Sequence, residues 1–291
     1  MDRDAEFQQL RPVLFALAYR MLATRVDAED IVQEAWLRWR AAVKEDGEKI
    51  SSPKSYLMTV VARLSLDALK AAHRKRESYT GPWLPEPLIN PPGTQPIEMA
   101  ELLSVAFLHL IESLSPAERV AFLLREAFDA EYEEIAAALD TSEANSRQLV
   151  ARARKHIGER RPRFPVDRAR HQALLERFLA ACATGDPAQL TSLLSEDVIL
   201  YADGGGKAPA ALNPIYGPDR IARFIFGLAR KNGAAYRVRF ANVNGEPGAV
   251  LVESAGTVTV IAIEPDSDGR LSRIFLVRNP DKTGGVDFGR V

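Results

Sequence analysis

One cysteine, Cys182, occurs in the 291 residues, so no intramolecular disulfide can form. Set in "FLAACATG", it reads as a small core residue rather than a reactive thiol. No apolar run approaches the roughly 18 to 20 residues that span a bilayer. The opening "MDRDAEFQQL" lacks the basic and apolar segments of a secretory leader, so a cytoplasmic protein without membrane contact is expected. The stretch "YADGGGKA" invites comparison with a phosphate-binding loop, but Tyr201 stands where the first glycine is required. Ala208 stands where a hydroxyl must reach magnesium, so a nucleotide site of that type is excluded. Neither a metal nor a cofactor is expected.

A strong net charge is also missing: the formal value is -1, yet the charges cluster. "KAAHRKR" at 70 to 76 carries four Lys or Arg and no acid, and "RQLVARARKHIGERRPR" at 147 to 163 is similarly basic. Local basic stretches in a near-neutral chain fit nucleic-acid contact, or simply solvated helix faces.

The chain changes texture along its length. From Phe7 to about Ile157 the apolar spacing is helical, whereas "DVILYA", "AYRVRFANV", "GAVLVESAGTVTVIAIE" and "LSRIFLVRN" are β-branched or aromatic runs bounded by turn formers. "TGPWLPEPLINPPGTQP" at 80 to 96 predicts an extended linker without regular structure, and "GERRPRFPVDR" predicts a boundary near 161 to 167. The fold class is therefore multidomain: two all-α domains at 1–79 and 98–162, joined by a Pro-rich linker at 80–97, then an α+β domain at 163–291.

In "RVDAEDIVQEAWLRWRAA" a helix from near Asp27 directs Ile31, Ala35 and Trp39 at a core and groups Asp30, Gln33, Glu34 and Leu37 elsewhere. A later helix, "PKSYLMTVVARLSLDALKAAHRKR", buries Leu57, Val60, Val61, Leu64 and Ala68. Its other stripe, Arg63, Asp67, Lys70 and Arg74, with Arg76 beyond, can form internal ion pairs or follow a phosphate backbone. "AEYEEIAAALDTSEANSRQLVARARKHI" reads as two helices about a short turn, with Thr141 or Ser142 as cap. That is a helix-turn-helix, whose second helix presents its N-terminal side chains to the major groove. Ser146, Val150, Ala153 and Ile157 face inward, and Asn145, Arg147, Gln148, Arg152 and Lys155 are the candidate DNA contacts.

"DAEDIVQEAWLRW", "ARLSLDALKAAHRKR" and "LSPAERVAFLLREAFDAEYEEIAAAL" with "SEANSRQLVARARKHI" resemble, in order and spacing, regions two and four of bacterial extracytoplasmic-function sigma factors. "WLPEP" at 83 to 87, "DGGGK" at 203 to 207 and "NPDK" at 279 to 282 resemble signatures of the subgroup with a SnoaL-like extension. The resemblance implies binding to core RNA polymerase through Asp30, Gln33 and Glu34. It implies opening of the minus-10 element by the segment with Arg63, Lys70, Arg74 and Arg76, and reading of the minus-35 element by the helix after Ser142.

The C-terminal order of helix, turn, short helix, strand, helix and three or four antiparallel strands resembles the cone-shaped SnoaL-like, or nuclear transport factor 2-like, fold. Some proteins of that fold are isomerases, which makes Asp203 an acid or base candidate, and an unknown small ligand in its pocket is one expectation. His171 is the single histidine of this part, so the chain is not expected to be an enzyme. The resemblance implies instead that the extension regulates the sigma regions through Trp83, Leu84 and Pro85, through Asp203, Gly204, Gly205, Gly206 and Lys207, and through Asn279, Pro280, Asp281 and Lys282. "DGGGK" is expected as a flexible turn facing the sigma domains, and "NPDK" as a turn after a strand.

Overall fold

A computed structural model describes residues 3–46, 50, 52–76, 78–90, 104–158, 167–232, 236–254 and 256–285. In chain order the elements are α1 (Arg3–Leu22), α2 (Arg25–Asp46), α3 (Pro53–Arg76), β1 (Ile89–Asn90), α4 (Val105–Ile111), α5 (Pro116–Phe128), α6 (Tyr132–Leu139) and α7 (Glu143–Gly158). There follow α8 (Arg168–Thr184), α9 (Pro187–Ser192), β2 (Leu194–Asp203), β3 (Ile215–Tyr216), α10 (Pro218–Asn232), β4 (Tyr236–Val243), β5 (Glu246–Glu253), β6 (Val258–Pro265), β7 (Leu271–Val277) and α11 (Pro280–Thr283). Among the described residues, no helix is long and apolar enough to cross a membrane, and no group of three or more His, Cys, Asp or Glu could hold a metal ion.

The chain forms two compact units whose sequences interleave. The first takes in Met1–Glu77 and Leu110–Arg161, the second Ser78–His109 and Pro162–Val291.

In the first unit α1 packs on both α2 and α3, and α5, α6 and α7 pack on one another. The inward face of α2 is Ala28, Val32, Ala35 and Trp39, all buried, while Ile31 is half-buried. Ile31 lies at the edge of that face, because the buried stripe 28, 32, 35, 39 follows the three- and four-residue steps of the helix. Trp39 is sealed by its indole donating to the Arg3 carbonyl at 3.1 Å. On α3 the buried set is Leu57, Met58, Val61, Ala62, Ser65 and Leu69. Val60, Leu64 and Ala68 flank it half-buried, because the core-facing stripe is rotated by about one residue from the expected one.

The helix-turn-helix is built from capped pieces. Ser115 caps α5, accepting from the Glu118 amide while the Glu118 carboxylate accepts from the Ser115 amide. Asp140 ends α6 in the left-handed region. Ser142 Oγ then accepts from the Asn145 amide at 3.2 Å and starts α7.

The second unit holds a seven-stranded sheet in the order β1-β4-β5-β6-β7-β2-β3. Neighbours from β4 to β7 are antiparallel, as expected, but β2 lies parallel to β7, which makes the sheet mixed. Alternation explains why both faces are buried. Ala249, Ile261, Ile263, Ile274 and Leu276 meet Leu174, Leu175 and Phe178 of α8 and Ile221 of α10 on one side. Val250, Val260, Ala262, Phe275 and Val277 meet Leu84 and Val105 on the other.

That second face corrects the expectation of a structureless linker. Leu84 is fully buried, and β1 joins the sheet edge with Ile89 opposite Val243 and Asn90 opposite Asn242. The Leu88 amide donates to Asn244 Oδ1 at 3.0 Å, and the Asn244 amide donates back to the Leu88 carbonyl at 2.8 Å. Prolines at 82, 85 and 87 keep this segment extended, and an extended chain is what an exposed sheet edge can accept.

Candidate functional site

Two sets of side chains need a functional account: the exposed polar faces of the first unit, and a buried cluster in the second.

On α2, Asp30 and Gln33 are exposed and Glu34 is half-buried, its Oε1 accepting from Arg38 Nε at 2.9 Å. Val26 (66%) and Leu37 (51%) are exposed beside them. These two aliphatic side chains stand in water on the same helix as the carboxylates. On α3, Arg63 and Lys70 are exposed. Lys70 lies 3.7 Å from Asp67, while Arg63 Nη2 donates to the Ala137 carbonyl on α6 at 2.5 Å. The side chains of Arg74 and Arg76 lie outside the described residues.

Along α7, Arg147, Gln148, Arg152 and Lys155 project outward and Ser146, Leu149, Val150, Ala153 and Ile157 inward. Ser146 is fully buried, with its hydroxyl donating to the Ser142 carbonyl at 3.2 Å. Arg147 is steadied by Glu143 at 2.9 Å and by the Tyr132 ring, 4.8 Å from its guanidinium carbon. Arg152 Nε sits 3.1 Å from Glu118 Oε1. Burial raises the Glu118 pKa, but the Ser115 hydroxyl and amide together with Arg152 outweigh it and hold the carboxyl below its ordinary range. Asn145 turns inward, its Nδ2 donating to Thr141 Oγ1 at 2.9 Å. These surface pairs are weak enough, each within about 1 kcal/mol, for a phosphate or base edge to replace the carboxylate. Glu118 and Tyr132 were not among the expected contributors. The capping spacing of Ser115 and Glu118 was the readable signal for the former.

In the second unit the three short signatures meet. Asp203, at the end of β2, is fully buried. Its Oδ2 faces Lys282 Nζ at 2.7 Å and accepts from the Leu84 amide at 2.9 Å. Its Oδ1 accepts from Tyr79 Oη at 2.6 Å and from the Gly205 amide at 3.0 Å. Lys282 also donates to the Leu84 carbonyl at 2.5 Å and lies 3.9 Å above the Trp83 ring. Asn279 Nδ2 donates to Tyr79 Oη at 2.8 Å. Burial first, then the neighbouring carboxylate of Asp203, hold the Tyr79 hydroxyl far above the ordinary phenol range, so it stays a donor.

"NPDK" is therefore not a turn. Asn279 caps the short helix α11, its Oδ1 accepting from the Asp281 amide, and this helix delivers Lys282 to the cluster. Pro280 sits at its first position and points outward, exposed. Pro85 is buried beside Leu84.

The glycines make the approach possible. A side chain on Gly205 would run into the Asn279 amide, one on Gly206 would press on Thr80, and one on Gly204 would collide with the Ala208 carbonyl. Gly205 and Gly206 also take φ of 59° and 72°. Lys207, exposed, closes the loop on Asp281 at 2.6 Å.

Asp203 has four partners on its two oxygens and no exposed surface, which removes it as an acid or base. His171 is buried beside Glu246 at 3.3 Å and belongs to the α8–β5 packing. A residue the sequence reading passed over, His109 on α4, is enclosed by Tyr201 and Phe275, with ring centroids 4.6 and 5.7 Å away. Burial, and then Arg273, push its pKa down to about 4.

Family models match the chain in three places: Sigma-70 region 2 at residues 7–75, Sigma-70 region 4 at 104–157 and a SnoaL-like domain at 175–281. The ECF RNA polymerase sigma factor SigJ of Mycobacterium tuberculosis is 40% identical over 97% of this chain and 93% of its own. The chain is an extracytoplasmic-function sigma factor. A crystal structure of M. tuberculosis SigJ superposes on this sigma factor with a TM-score of 0.77 at 38% identity, covering 97% of this chain and 98% of that one. The probable ECF RNA polymerase sigma factor SigI from the same organism is 29% identical over 95% of the sigma factor and 93% of its own length. As a sigma factor with regions 2 and 4 and a SnoaL-like C-terminal domain, it directs promoter-specific transcription initiation.

Proposed function

We propose that the residues assigned above divide the work of initiation between the two units, and that the second unit regulates the first by holding the segment between regions 2 and 4. Asp30, Gln33 and Glu34, with Leu37 beside them, form the surface for core RNA polymerase. Arg63, Lys70, Arg74 and Arg76 track the minus-10 element. Arg147, Gln148, Arg152 and Lys155 contact the minus-35 element, with Asn145 shaping the start of α7 from within.

The regulatory reading is carried by one observation: a single buried carboxylate, Asp203, binds both the Tyr79 hydroxyl and the Leu84 amide of the inter-region segment, with Lys282 completing its charge. Region 2 ends just before that segment and region 4 begins just after it. Capture of residues 79 to 90 on the sheet therefore sets how much free chain lies between the two promoter-reading regions. Trp83 over the Lys282 ammonium gives the capture its aromatic anchor.

Reconstituted transcription with core polymerase tests the whole assignment in the full-length chain. Asp30→Lys should lower polymerase binding, and Arg152→Ala should weaken promoter binding and flatten its salt dependence by about one ion. Asp203→Asn, which keeps the shape of the cluster and removes its charge, should change promoter output without changing polymerase affinity. Wild-type output from that variant would remove the regulatory role.

A further inference from the structure

The exposed arginines of α7 are held in different ways. Arg152 and Arg154 reach back to carboxylates of α5, Glu118 at 3.1 Å and Glu126 at 2.5 Å. Arg147 has its ion pair with Glu143 inside the helix, and its guanidinium carbon also stands 4.8 Å from the centre of the Tyr132 ring. An exposed ion pair holds two long side chains only loosely, whereas an aromatic face beneath a guanidinium limits where that group can point.

The ring is itself fixed by the turn before it. Asp129 closes α5 in the left-handed region at φ 51°, and the Ala130 amide donates to the Leu124 carbonyl at 3.0 Å. Arg125 Nη1 donates to the Ala130 carbonyl at 2.9 Å and lies 3.5 Å from Glu131 Oε1, and its guanidinium carbon stands 5.0 Å from the Tyr132 ring centre. The Glu131 amide donates to Glu134 Oε2 at 2.9 Å, which starts α6 with Tyr132 as its first residue, half-buried. One ring thus serves two guanidiniums, one committed to the α5–α6 turn and one carried by the recognition helix.

Reading a base asks more of an arginine than meeting a phosphate does. The commonest specific contact is the guanidinium fork on guanine O6 and N7, which requires two N–H groups aimed together in one plane. A phosphate contact positions the protein and carries no such demand for a particular base. Arg147 is the fifth residue of α7, in the part of a recognition helix that meets base edges, and Arg152 and Lys155 come later. A guanidinium over a ring is held by its face and keeps its edge donors for an acceptor. Tyr132 can therefore stay in place while Glu143 gives up Nη2 of Arg147.

We propose that Tyr132 is a positioning residue for promoter specificity: its ring holds Arg147 in the direction that reads a guanine of the minus-35 element, and Arg125 with the α5–α6 turn holds the ring. This rests on the assignment of α7 to the minus-35 element. Arg152 and Lys155 then supply phosphate contact, and Arg147 supplies sequence.

Core polymerase loaded with the full chain can select from a duplex pool randomised over both promoter elements, and sequencing the bound fraction gives the preference at each position. The wild-type chain should enrich guanine at a minus-35 position where Arg147→Ala loses the preference by about tenfold or more. Arg147→Lys, which keeps the charge and not the fork, should lose it too while leaving the salt dependence of binding unchanged. Tyr132→Leu should lose about two- to fivefold at that same position and at no other, and Tyr132→Phe should keep the full preference. In the Arg147→Ala background Tyr132→Leu should add nothing. Should Tyr132→Leu fail to fold, Tyr132→Met takes its place. Full preference in Tyr132→Leu, or an equal loss at every position, overturns the positioning role and leaves the α7 assignment standing. Full preference in Arg147→Ala removes the guanine contact and the proposal with it, and a wild-type chain without any minus-35 preference strikes at the α7 assignment itself.

Discussion

The recognition helix α7 and the cluster around Asp203 use the same chemistry, charged groups in pairs, to opposite ends. On α7 the arginines are more than half exposed and their carboxylate partners are replaceable. Around Asp203 the charged pair is enclosed and committed, with the Asp203 side chain at 0% exposure and that of Lys282 at 7%. An ion pair in water contributes little and leaves its members free to bind something else. An ion pair out of water is destabilising to break, because the survivor is left charged without solvent. The first arrangement suits a surface that must meet DNA, the second a joint that must hold three distant segments together.

The sharpest way to break the contrast is to remove one member of the buried pair. Asp203→Ala strands the Lys282 ammonium and should destabilise the second unit by about 3 to 5 kcal/mol, read in urea unfolding of the full chain. Arg152→Ala should leave the same unfolding curve within about 0.5 kcal/mol while weakening promoter binding. If the two variants shift unfolding equally, the distinction fails.

Acid offers a second approach. Above about pH 6.5 His109 is neutral folded or unfolded, and its contact with Tyr201 and Phe275 contributes in full. As pH falls from 6.5 toward about 4, the unfolded chain takes up a proton that the folded chain refuses, so stability is lost, by on the order of 3 kcal/mol at most. His109→Phe should flatten that part of the pH profile.

Gly205→Ala comes next, at about 1 to 3 kcal/mol, since it sets a methyl against Asn279 and strains a positive φ. Last, Lys207→Ala breaks only the exposed pair with Asp281 and should cost less than about 1 kcal/mol. A larger loss at Lys207 than at Gly205 would mean that the loop is held from outside rather than by its backbone.

Much of the first unit could be read in advance. Helical spacing placed Ala35, Trp39, Leu57 and Val61 inside, and the turn around Thr141 and Ser142 gave the helix-turn-helix, because these features depend on residues three or four apart. The second unit was legible in its strands but not in their pairing. Nothing in periodicity places Leu194 beside Leu271 in parallel, or seats Leu84 on strands β4 to β7, which begin more than a hundred residues later. The Asp203 cluster was legible only as three separate short signatures. Glycine, proline and asparagine announced turns there, and it took the fold to turn one of them into a capped helix carrying a buried lysine.

The interleaving of the two units also bears on how the chain is made. Strand β1 leaves the ribosome long before β4 to β7, the strands that it and Leu84 are to cover. At roughly 5 to 20 residues per second, the nearly 190 residues between Ile89 and Val277 take about 10 to 40 s to appear. Region 2 is complete before that interval and region 4 emerges within it, while the segment between them has no sheet to rest on. A newborn chain is thus a sigma factor with an untethered linker, and completion of its last strand is the event that first gives Leu84 its full seat on the sheet.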